Sequence, residues 1–436
     1  MTLSHPRSHP VAPAPAGVSA RPAAVPDFRR LWAADTVSQA GTAVTLLALP
    51  LVAIGTLRAT PFQAGLLVTC EYLAFLLVGL PAGAWVDRSR HRRVMVAGDL
   101  GRAVLLGSVP VAALLGVLTL PQLYGVAFGL SLCTVFFDVA AQSVLPRLVD
   151  GERLEEANVR LETTRSLVQA AGPGVGGVLL AVVAAPVALA FDAFSYLASA
   201  LLLARVRRAD TGPAAEDVRG PGPGTAGRGD GLRAEIGAGL RFVFGHPRLR
   251  AVTLAAALSN FCGTIGAAML MVLLAGELGL SPLWCGLVFT AEAVGGLLGG
   301  LFTARLAARF GTGRAMCGSV LLSGVLWLAA VPSFHADWRF AVGVVLQGLG
   351  WAAFMPFRIG AVTLRQRLSP PELLGRVTAT VRFVVWGAMP VGALVGGLLG
   401  ESFGARAALW AGAVAELLAV LPLLPLLRSR RPGDAP

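Results

Sequence analysis

Twelve apolar segments, each long enough to cross a membrane as a helix, run through the chain and limit what it can fold into. The chain is 55% hydrophobic and 14% charged, and its mean hydropathy of +0.71 exceeds that of a water-soluble domain. A bilayer core of about 30 Å requires roughly 20 apolar residues per crossing. The predicted segments are residues 31–57, 62–85, 94–118, 122–145, 160–183, 187–204, 250–275, 283–306, 315–333, 339–363, 377–400 and 406–427. The sequence therefore predicts an all-α polytopic membrane protein.

The arginines predict how these segments are oriented. The chain contains no lysine, so all 36 basic residues are arginine. If the N-terminus is cytoplasmic, 29 arginines fall in cytoplasmic tails and loops, against three in external loops, Arg58, Arg339 and Arg406. This asymmetry follows the positive-inside rule and predicts an inner-membrane protein with both termini in the cytoplasm. The net charge of +12 then reflects topology, and we expect no nucleic-acid partner.

A polar linker divides the chain into two parts with six apolar segments each. The linker, residues 207–240, includes the run Gly220-Pro221-Gly222-Pro223-Gly224. We predict a disordered cytoplasmic tail at 1–27, a first six-helix bundle at 28–206, a second at 241–428 and a short cytoplasmic tail at 429–436. Residues 1–27 have no apolar core, so they do not resemble a cleaved signal peptide.

The two parts also resemble each other in sequence. An offset of 221 aligns Gly65, Thr69, Glu71, Gly79, Arg88 and Arg93 with Gly286, Thr290, Glu292, Gly300, Arg309 and Arg314. An offset of 220 aligns Gly172, Gly176 and Gly177 with Gly392, Gly396 and Gly397. A repeat that keeps the same orientation predicts two bundles related by an axis along the membrane normal.

A charged loop between the second and third segments carries a family signature. Its residues are Gly83, Asp87, Arg88, Arg92 and Arg93, in the pattern Gly-x-x-x-Asp-Arg followed by a basic cluster. The chain thereby resembles the major facilitator superfamily over essentially its whole helical length. The resemblance implies a gating loop, in which Asp87 faces the positive N-terminus of a helix in the other half and latches the cytoplasmic side. A solvated basic turn is the alternative. In the second half, Ala304 and Ala308 replace the Gly and Asp, so we expect an asymmetric latch.

A second motif lies in the fifth segment. Gly172, Pro173, Gly176 and Gly177 resemble the core of the family's antiporter motif, which favours export. Val168 departs from the motif upstream, and a glycine-rich packing face is the alternative. The segments Phe28–Trp32 and Leu145–Val149 resemble the enterobactin-exporter-like and macrolide-efflux-like branch. Those proteins expel siderophores or drugs using the proton gradient. That branch often has an acid where Thr42 stands here.

Charges inside apolar segments are costly, so each is a candidate functional group. Glu71 and Glu292 lie about nine residues into repeat-related segments, about 13 Å deep. Burial disfavours their charged form, which suits reversible protonation, although a structural acid is the alternative. The other proton or substrate candidates are Asp138, Arg165, Arg358 and Arg382. Asp138 could instead form a simple ion pair. Asp35 and Arg102, nearer the segment ends, are expected to snorkel to the interface.

The preferred function is export of a drug-like or siderophore-like molecule by proton antiport with alternating access. Uptake by a symporter or facilitator of the same fold and a non-transporting membrane sensor are the alternatives. An enzyme is not expected, because the five histidines lie in tails and loops without ligand spacing. The five cysteines show no CxxC spacing, and a P-loop would need a lysine, so no cofactor or metal is expected. We expect the protein to function as a monomer.

Overall fold

The computed structural model describes residues 25–79, 82–149, 153–206, 230–370 and 373–427. Twelve of its helices are long and apolar enough to span a membrane. In chain order they are α1 Pro26–Thr56, α2 Pro61–Val78, α3 His91–Leu114, α4 Leu120–Leu148, α5 Leu154–Val182, α6 Ala185–Ala204, α7 Pro247–Glu277, α8 Pro282–Phe310, α9 Thr312–Ser333, α10 Arg339–Leu368, α11 Leu374–Phe403 and α12 Ala405–Leu427. The prediction of an all-α polytopic fold is confirmed.

The helices form two bundles with the same packing pattern. In the first half α1 packs against α5 and α6, α2 against α4, and α3 against α4 and α6. The second half repeats this with α7 against α11 and α12, α8 against α10, and α9 against α10 and α12. Both α1 and α7 end in a π-helical turn, Val52–Thr56 and Val272–Glu277. The sequence repeat is therefore also a structural repeat, as expected for two pseudo-symmetric six-helix bundles.

The sequence marks many helix ends directly. Proline occupies one of the first two positions of α1, α2, α4, α6, α7 and α8, where its missing N–H costs no helical hydrogen bond. Thr60 and Gln63 form a capping box at the start of α2. Gly311 and Gly404 adopt φ values of 81° and 86° in the one-residue turns before α9 and α12. Glycine adopts this backbone conformation without the strain a side chain would cause.

Hydrogen bonds identify which helix ends share a face of the bundle. Arg30 at the start of α1 donates to the carbonyl of Arg205 after α6, at 2.9 Å. Arg92 in α3 donates to the carbonyls of Ala204 and Val206. We call this end the arginine-rich face, and the other end the opposite face. At the opposite face Glu277, at the end of α7, accepts from the backbone N–H of Ala405.

The two halves meet closely near the opposite face. Between the halves, α2 packs against α11 and α5 against α8. A Cβ built on Gly65 would lie 2.6 Å from the Cα of Gly397, and one on Gly177 would lie 3.3 Å from the Cα of Gly286. In addition, the N–H of Phe62 donates to Glu401 at 3.0 Å. Small residues thus bring the helix backbones into direct contact and close this end.

The buried apolar clusters also show where the two halves are joined and where they are separate. The largest buried cluster contains residues of both halves, including Leu47, Leu67, Leu274 and Ala393. The second cluster, around Phe28 and Met95, contains residues of the first half alone, and two others contain residues of the second half alone. The halves therefore share a core toward the opposite face and separate toward the arginine-rich face.

An additional helix, Asp230–Gly245, lies across the predicted end of the linker at residue 240. Its buried Val243 packs against Val377 and Val381 of α11. A Cβ on Gly239 would meet Thr380, so the helix lies directly on α11. The predicted tails, apart from residues 25–27, and linker residues 207–229 lie outside the described residues.

Candidate functional site

A cavity lies between the halves on the arginine-rich side of the closed contacts. The first half contributes residues of α2 and α4, and the second half contributes residues of α11. The lining residues are Phe75, Gly79, Val135, Asp138, Val139, Gln142, Ala379, Arg382, Phe383, Trp386 and Gly387. Phe75 and Trp386 meet across the halves with their ring centroids 4.7 Å apart. This aromatic pair joins the cavity to the closed interface.

Asp138 and Arg382 place opposite charges in this cavity, one from each half. In the part of the chain that the structure describes, neither side chain has a hydrogen bond or an ion pair within 4.0 Å. Arg382 acts on Asp138 electrostatically, and its guanidinium lies 5.1 Å from the centre of the Trp386 ring. The sequence reasoning named both residues as candidates, and the structure brings them to one site.

Arg165 is engaged by a different acid. Its Nε and Nη2 donate to the two carboxylate oxygens of Asp35 at 3.1 and 2.9 Å. This bidentate pair joins α5 to α1 within the first half. Asp35 is only 4% exposed, so the expectation that it would snorkel to the interface is wrong. Its negative charge is compensated by Arg165 and does not need water.

Arg102 also does not snorkel, since it is only 5% exposed. Its Nη2 donates to Asp99 at 2.5 Å, and Asp99 accepts from Ser199 at 2.6 Å. The guanidinium lies between the rings of Phe137 and Tyr196, 4.4 and 4.5 Å from their centres. This arrangement combines a buried ion pair with two cation–π contacts inside the first half.

Asp192 extends the polar network of the first half toward the opposite face. It accepts hydrogen bonds from Thr45 on α1 and, at 2.8 Å, from Ser195 on its own helix. Thr42 and Tyr196 form a hydrogen bond of 2.7 Å between the same two helices. A Cβ on Gly41 would collide with Asp192, so Gly41 makes room for this carboxylate. Thr42, where the family branch has an acid, is thus a hydrogen-bonding partner.

Glu71 and Glu292 occupy equivalent, half-buried positions but have different partners. Gln347 of α10 donates to Glu292 at 2.8 Å. The residue of α4 equivalent to Gln347 under the offset of 220 is Ala127, which offers no donor. No hydrogen bond or ion pair to Glu71 occurs within the described ranges. The repeat therefore conserves the acid while its hydrogen-bonding partner is present in one half only.

Sequence reasoning missed two buried acids, Asp99 and Glu416, which are 0% and 1% exposed. Ser259 of α7 donates to Oε1 of Glu416 at 2.7 Å, and Oε2 has no partner in the described part. Both acids lie within predicted apolar segments, so the criterion that identified Glu71 would have found them. Arg358 is exposed, and the offset of 220 makes it the counterpart of Asp138.

The gating loop is described in part. Gly83 lies in a short helix, Ala82–Asp87, and a Cβ added there would meet no atom within 4 Å. Gly83 therefore makes no close helix contact in this conformation. Arg88 and Arg93 are exposed, whereas Arg92 binds the end of α6. The side chain of Asp87 lies outside the described residues.

The glycine motif of α5 lies at two helix contacts. A Cβ on Gly172 would lie 2.5 Å from the Cβ of Ala43 on α1. Gly177 faces α8 of the other half, where its Cβ would lie 2.8 Å from the carbonyl oxygen of Pro282. The helix continues through Pro173, whose carbonyl approaches Gly286. The motif thus packs α5 against α1 within the first half and against α8 of the second half.

No group of three or more potential metal ligands occurs among the described residues. The five cysteines are free thiols. The side chains that line the cavity provide charged groups, aromatic rings and a carboxyl group that can bind a proton.

Comparisons with known proteins agree with this architecture. A family model described as transmembrane secretion effector matches residues 18–432. The chain is 26% identical to the multidrug efflux pump Tap of Mycolicibacterium fortuitum, over 91% of this chain and 95% of that protein. It is 24% identical to macrolide efflux protein A of Streptococcus pyogenes, over 86% and 90% of the two chains.

Solved structures share the fold at lower identity. An inward-facing bacterial homologue of the iron transporter ferroportin has a TM-score of 0.73 at 19% identity, covering 92% of this chain and 99% of that one. The nucleoside transporter NupG has a TM-score of 0.70 at 12% identity, covering 93% and 100%. Twelve spanning helices, a repeated bundle and a family match over nearly the whole length lead to one conclusion. The chain belongs to the transmembrane secretion effector family of major facilitator transporters.

Proposed function

We propose that this transporter exports a drug-like or siderophore-like small molecule in exchange for protons. The relatives named as multidrug and macrolide efflux proteins support this direction of transport. The glycine motif of α5, which resembles the family's antiporter motif, also supports it. Transport proceeds by alternating access, in which the halves rock about the cavity that contains Asp138 and Arg382.

The observation that carries the proposal is the asymmetry of the interface between the halves. Backbones touch at Gly65 and Gly397 and at Gly177 and Gly286, all toward the opposite face. The cavity lies on the other side of the Phe75–Trp386 pair. The contacts α2–α11 and α5–α8 are equivalent under the repeat. One rocking motion would separate both contacts together and expose the cavity to the opposite face.

The arginine distribution gives this asymmetry a direction. Under the positive-inside rule the arginine-rich face is cytoplasmic. The conformation described here is then closed to the outside, and its cavity receives substrate from the cytoplasm. Asp87 would latch the cytoplasmic side once the halves rock the other way, while Arg92 holds the loop against α6.

Glu71 is the preferred proton carrier. Burial in an apolar interface without a hydrogen-bond donor disfavours the charged form of a carboxylate. Gln347 donates to Glu292 and so stabilises its charged form, which makes Glu292 the less suitable carrier. Outward opening would hydrate Glu71 and allow it to exchange its proton with the external solution.

Everted membrane vesicles test the proposal. Uptake of a candidate solute should require an inward-acid proton gradient, and Glu71→Gln should abolish gradient-driven uptake because an amide cannot exchange the proton. Glu292→Gln is the matched control and should retain more of the uptake. If uptake ignores the gradient while Glu71→Gln behaves like the wild type, the assignment of Glu71 fails.

A further inference from the structure

The cavity contains one acid, one base and an aromatic wall, and these three features restrict its ligand. We propose that the cavity binds a planar aromatic zwitterion, with its cationic group at Asp138 and its anionic group at Arg382. This inference rests on the proposed transport function and specifies its substrate class.

The two charges are available to a ligand. Asp138 and Arg382 have no hydrogen bond or ion pair within 4.0 Å among the described residues, although both line the same cavity. Arg165, by contrast, donates from Nε and Nη2 to the two carboxylate oxygens of Asp35. Arg165 and Arg102 also act on Asp138 electrostatically, but the hydrogen bonds of Arg165 go to Asp35 and that of Arg102 goes to Asp99. Asp138 and Arg382 therefore keep their own hydrogen-bonding groups for a ligand.

A second arginine reinforces the positive side of the cavity. Arg365 of α10 is close enough to Arg382 for their charges to repel. Its Nε is buried and has no hydrogen-bond partner in the described part of the chain. An anionic group at Arg382 would offset this repulsion, because it adds a negative charge close to the two positive ones.

The aromatic residues restrict the shape of the ligand. Phe75 and Trp386 form a tilted pair at one end of the cavity, and Arg382 lies over Trp386. Phe383, also in the lining, is 38% exposed. A planar ring system can stack on the exposed ring of Phe383 while its charged groups reach the two side chains.

Singly charged ligands satisfy this cavity less well. A cation at Asp138 would be repelled by Arg382, and an anion at Arg382 would be repelled by Asp138. A zwitterion compensates both charges, which is the condition for burying them at low cost. Because Asp138 belongs to the first half and Arg382 to the second, such a ligand also bridges the halves.

Three xanthene dyes of similar ring size provide the test. Rhodamine B is zwitterionic near neutral pH, rhodamine 6G is a cationic ester and fluorescein is anionic. Fluorescence anisotropy would measure their dissociation constants for the purified full chain in lipid nanodiscs, with empty nanodiscs subtracted. We expect the wild type to bind rhodamine B about tenfold more tightly than either other dye.

The variants should change selectivity in opposite directions. Asp138→Asn should weaken the binding of rhodamine B and strengthen the binding of fluorescein, because it removes the charge that repels the anion. Arg382→Gln should weaken the binding of rhodamine B and strengthen the binding of rhodamine 6G. Arg339→Gln and Asp337→Asn alter a weakly paired, exposed site on the opposite face and should leave all three constants unchanged. Arg382→Lys, which keeps the charge, should retain part of the preference.

Several outcomes would overturn the inference. The folded wild type could fail to bind rhodamine B, or it could bind rhodamine 6G or fluorescein as tightly or more tightly. Equal changes in the dissociation constants of all three dyes in both variants would also overturn it. Monodisperse elution of each variant establishes that it is folded. The vesicle assay remains independent, because zwitterion binding without gradient-driven uptake would refute the proposed function while this ligand class stands.

Discussion

Arg102 illustrates how single residues are stabilised in this bundle. Its charge is compensated by Asp99, and both side chains are almost fully buried within the first half. Removing one partner of a buried pair leaves the other charge without compensation, whereas replacing both by neutral groups is tolerated much better. The pair therefore permits a direct stability measurement on residues that do not line the cavity.

Arg102→Met should destabilise the protein by about 3–5 kcal/mol, because it leaves the Asp99 carboxylate buried alone. The double variant Asp99→Asn with Arg102→Met should recover most of that loss. Thermal unfolding in detergent, followed by tryptophan fluorescence, would measure both. Arg160→Gln breaks an exposed pair with Glu156 and should change stability by at most about 1 kcal/mol. Equal losses in the single and double variants would refute the compensation argument.

At the residue scale, the sequence located the charges that lie inside apolar segments but did not predict their partners. Glu71, Asp138 and Arg382 were identified because charge inside an apolar segment is costly. The pairing of Asp35 with Arg165 joins residues 130 positions apart, and no local pattern indicates it. Whether Arg102 snorkels depends on which face of α3 turns inward, and that follows from packing against α4 and α6.

At the element scale, glycine decides how closely helices of the two halves approach. On α8, a Cβ at Gly286 would collide with the carbonyl of Pro173 and lie 3.1 Å from the Cα of Gly177. These are backbone atoms, which cannot move aside as a flexible side chain can. Gly300 on the same helix would meet no atom within 4 Å. The two positions therefore form a matched pair for one substitution.

Gly286→Ala should push α5 and α8 apart and shift the protein toward the conformation open at the opposite face. Gly300→Ala should leave the equilibrium unchanged. Labelling of a cysteine introduced at Thr290, which approaches Gly174 across the interface, would report the opening. Similar labelling rates in the two alanine variants would show that this contact does not control closure.

The elements themselves were largely predictable, because twelve apolar runs bounded by proline, glycine or arginine leave few alternatives. The helix Asp230–Gly245 was not predicted. Four of its sixteen residues are glycine and four are charged, and it follows the Gly- and Pro-rich run, so it resembles the end of the linker until Val243 and Gly239 are seen against α11. Tertiary contacts stabilise this helix, and sequence composition does not indicate them.

At the scale of the whole molecule, the two halves are equivalent in packing and different in chemistry. The repeat was readable from aligned glycines and acids. Gln347 is matched by Ala127, so Glu71 has no hydrogen-bond donor among the described residues. This difference becomes interpretable only when α2–α4 and α8–α10 are seen as equivalent contacts. The proposed proton control places the proton on this acid, which has no partner in the described part of the chain, in one half of a symmetric frame.

The environment of Glu71 determines the expected sign of the proposed proton control. In the conformation described here Glu71 has no hydrogen-bond donor among the described residues, so its neutral form is favoured. Protonation should therefore stabilise the conformation closed at the opposite face, and deprotonation should favour a conformation that hydrates the carboxylate. Glu71→Gln should remain closed at either pH.

Pulsed electron–electron distance measurements between spin labels test the rocking of the halves most directly. One pair, at Arg58 and Ser281, spans the halves at the opposite face, and another, at Ser89 and Thr312, spans them at the arginine-rich face. Both would be introduced after replacing the five native cysteines by alanine. In mildly acidic buffer the first distance should be short and the second long, and alkaline buffer should reverse both. Proton-controlled alternating access would be contradicted if both distances lengthened or shortened together. It would also be contradicted if neither distance depended on pH in the wild type.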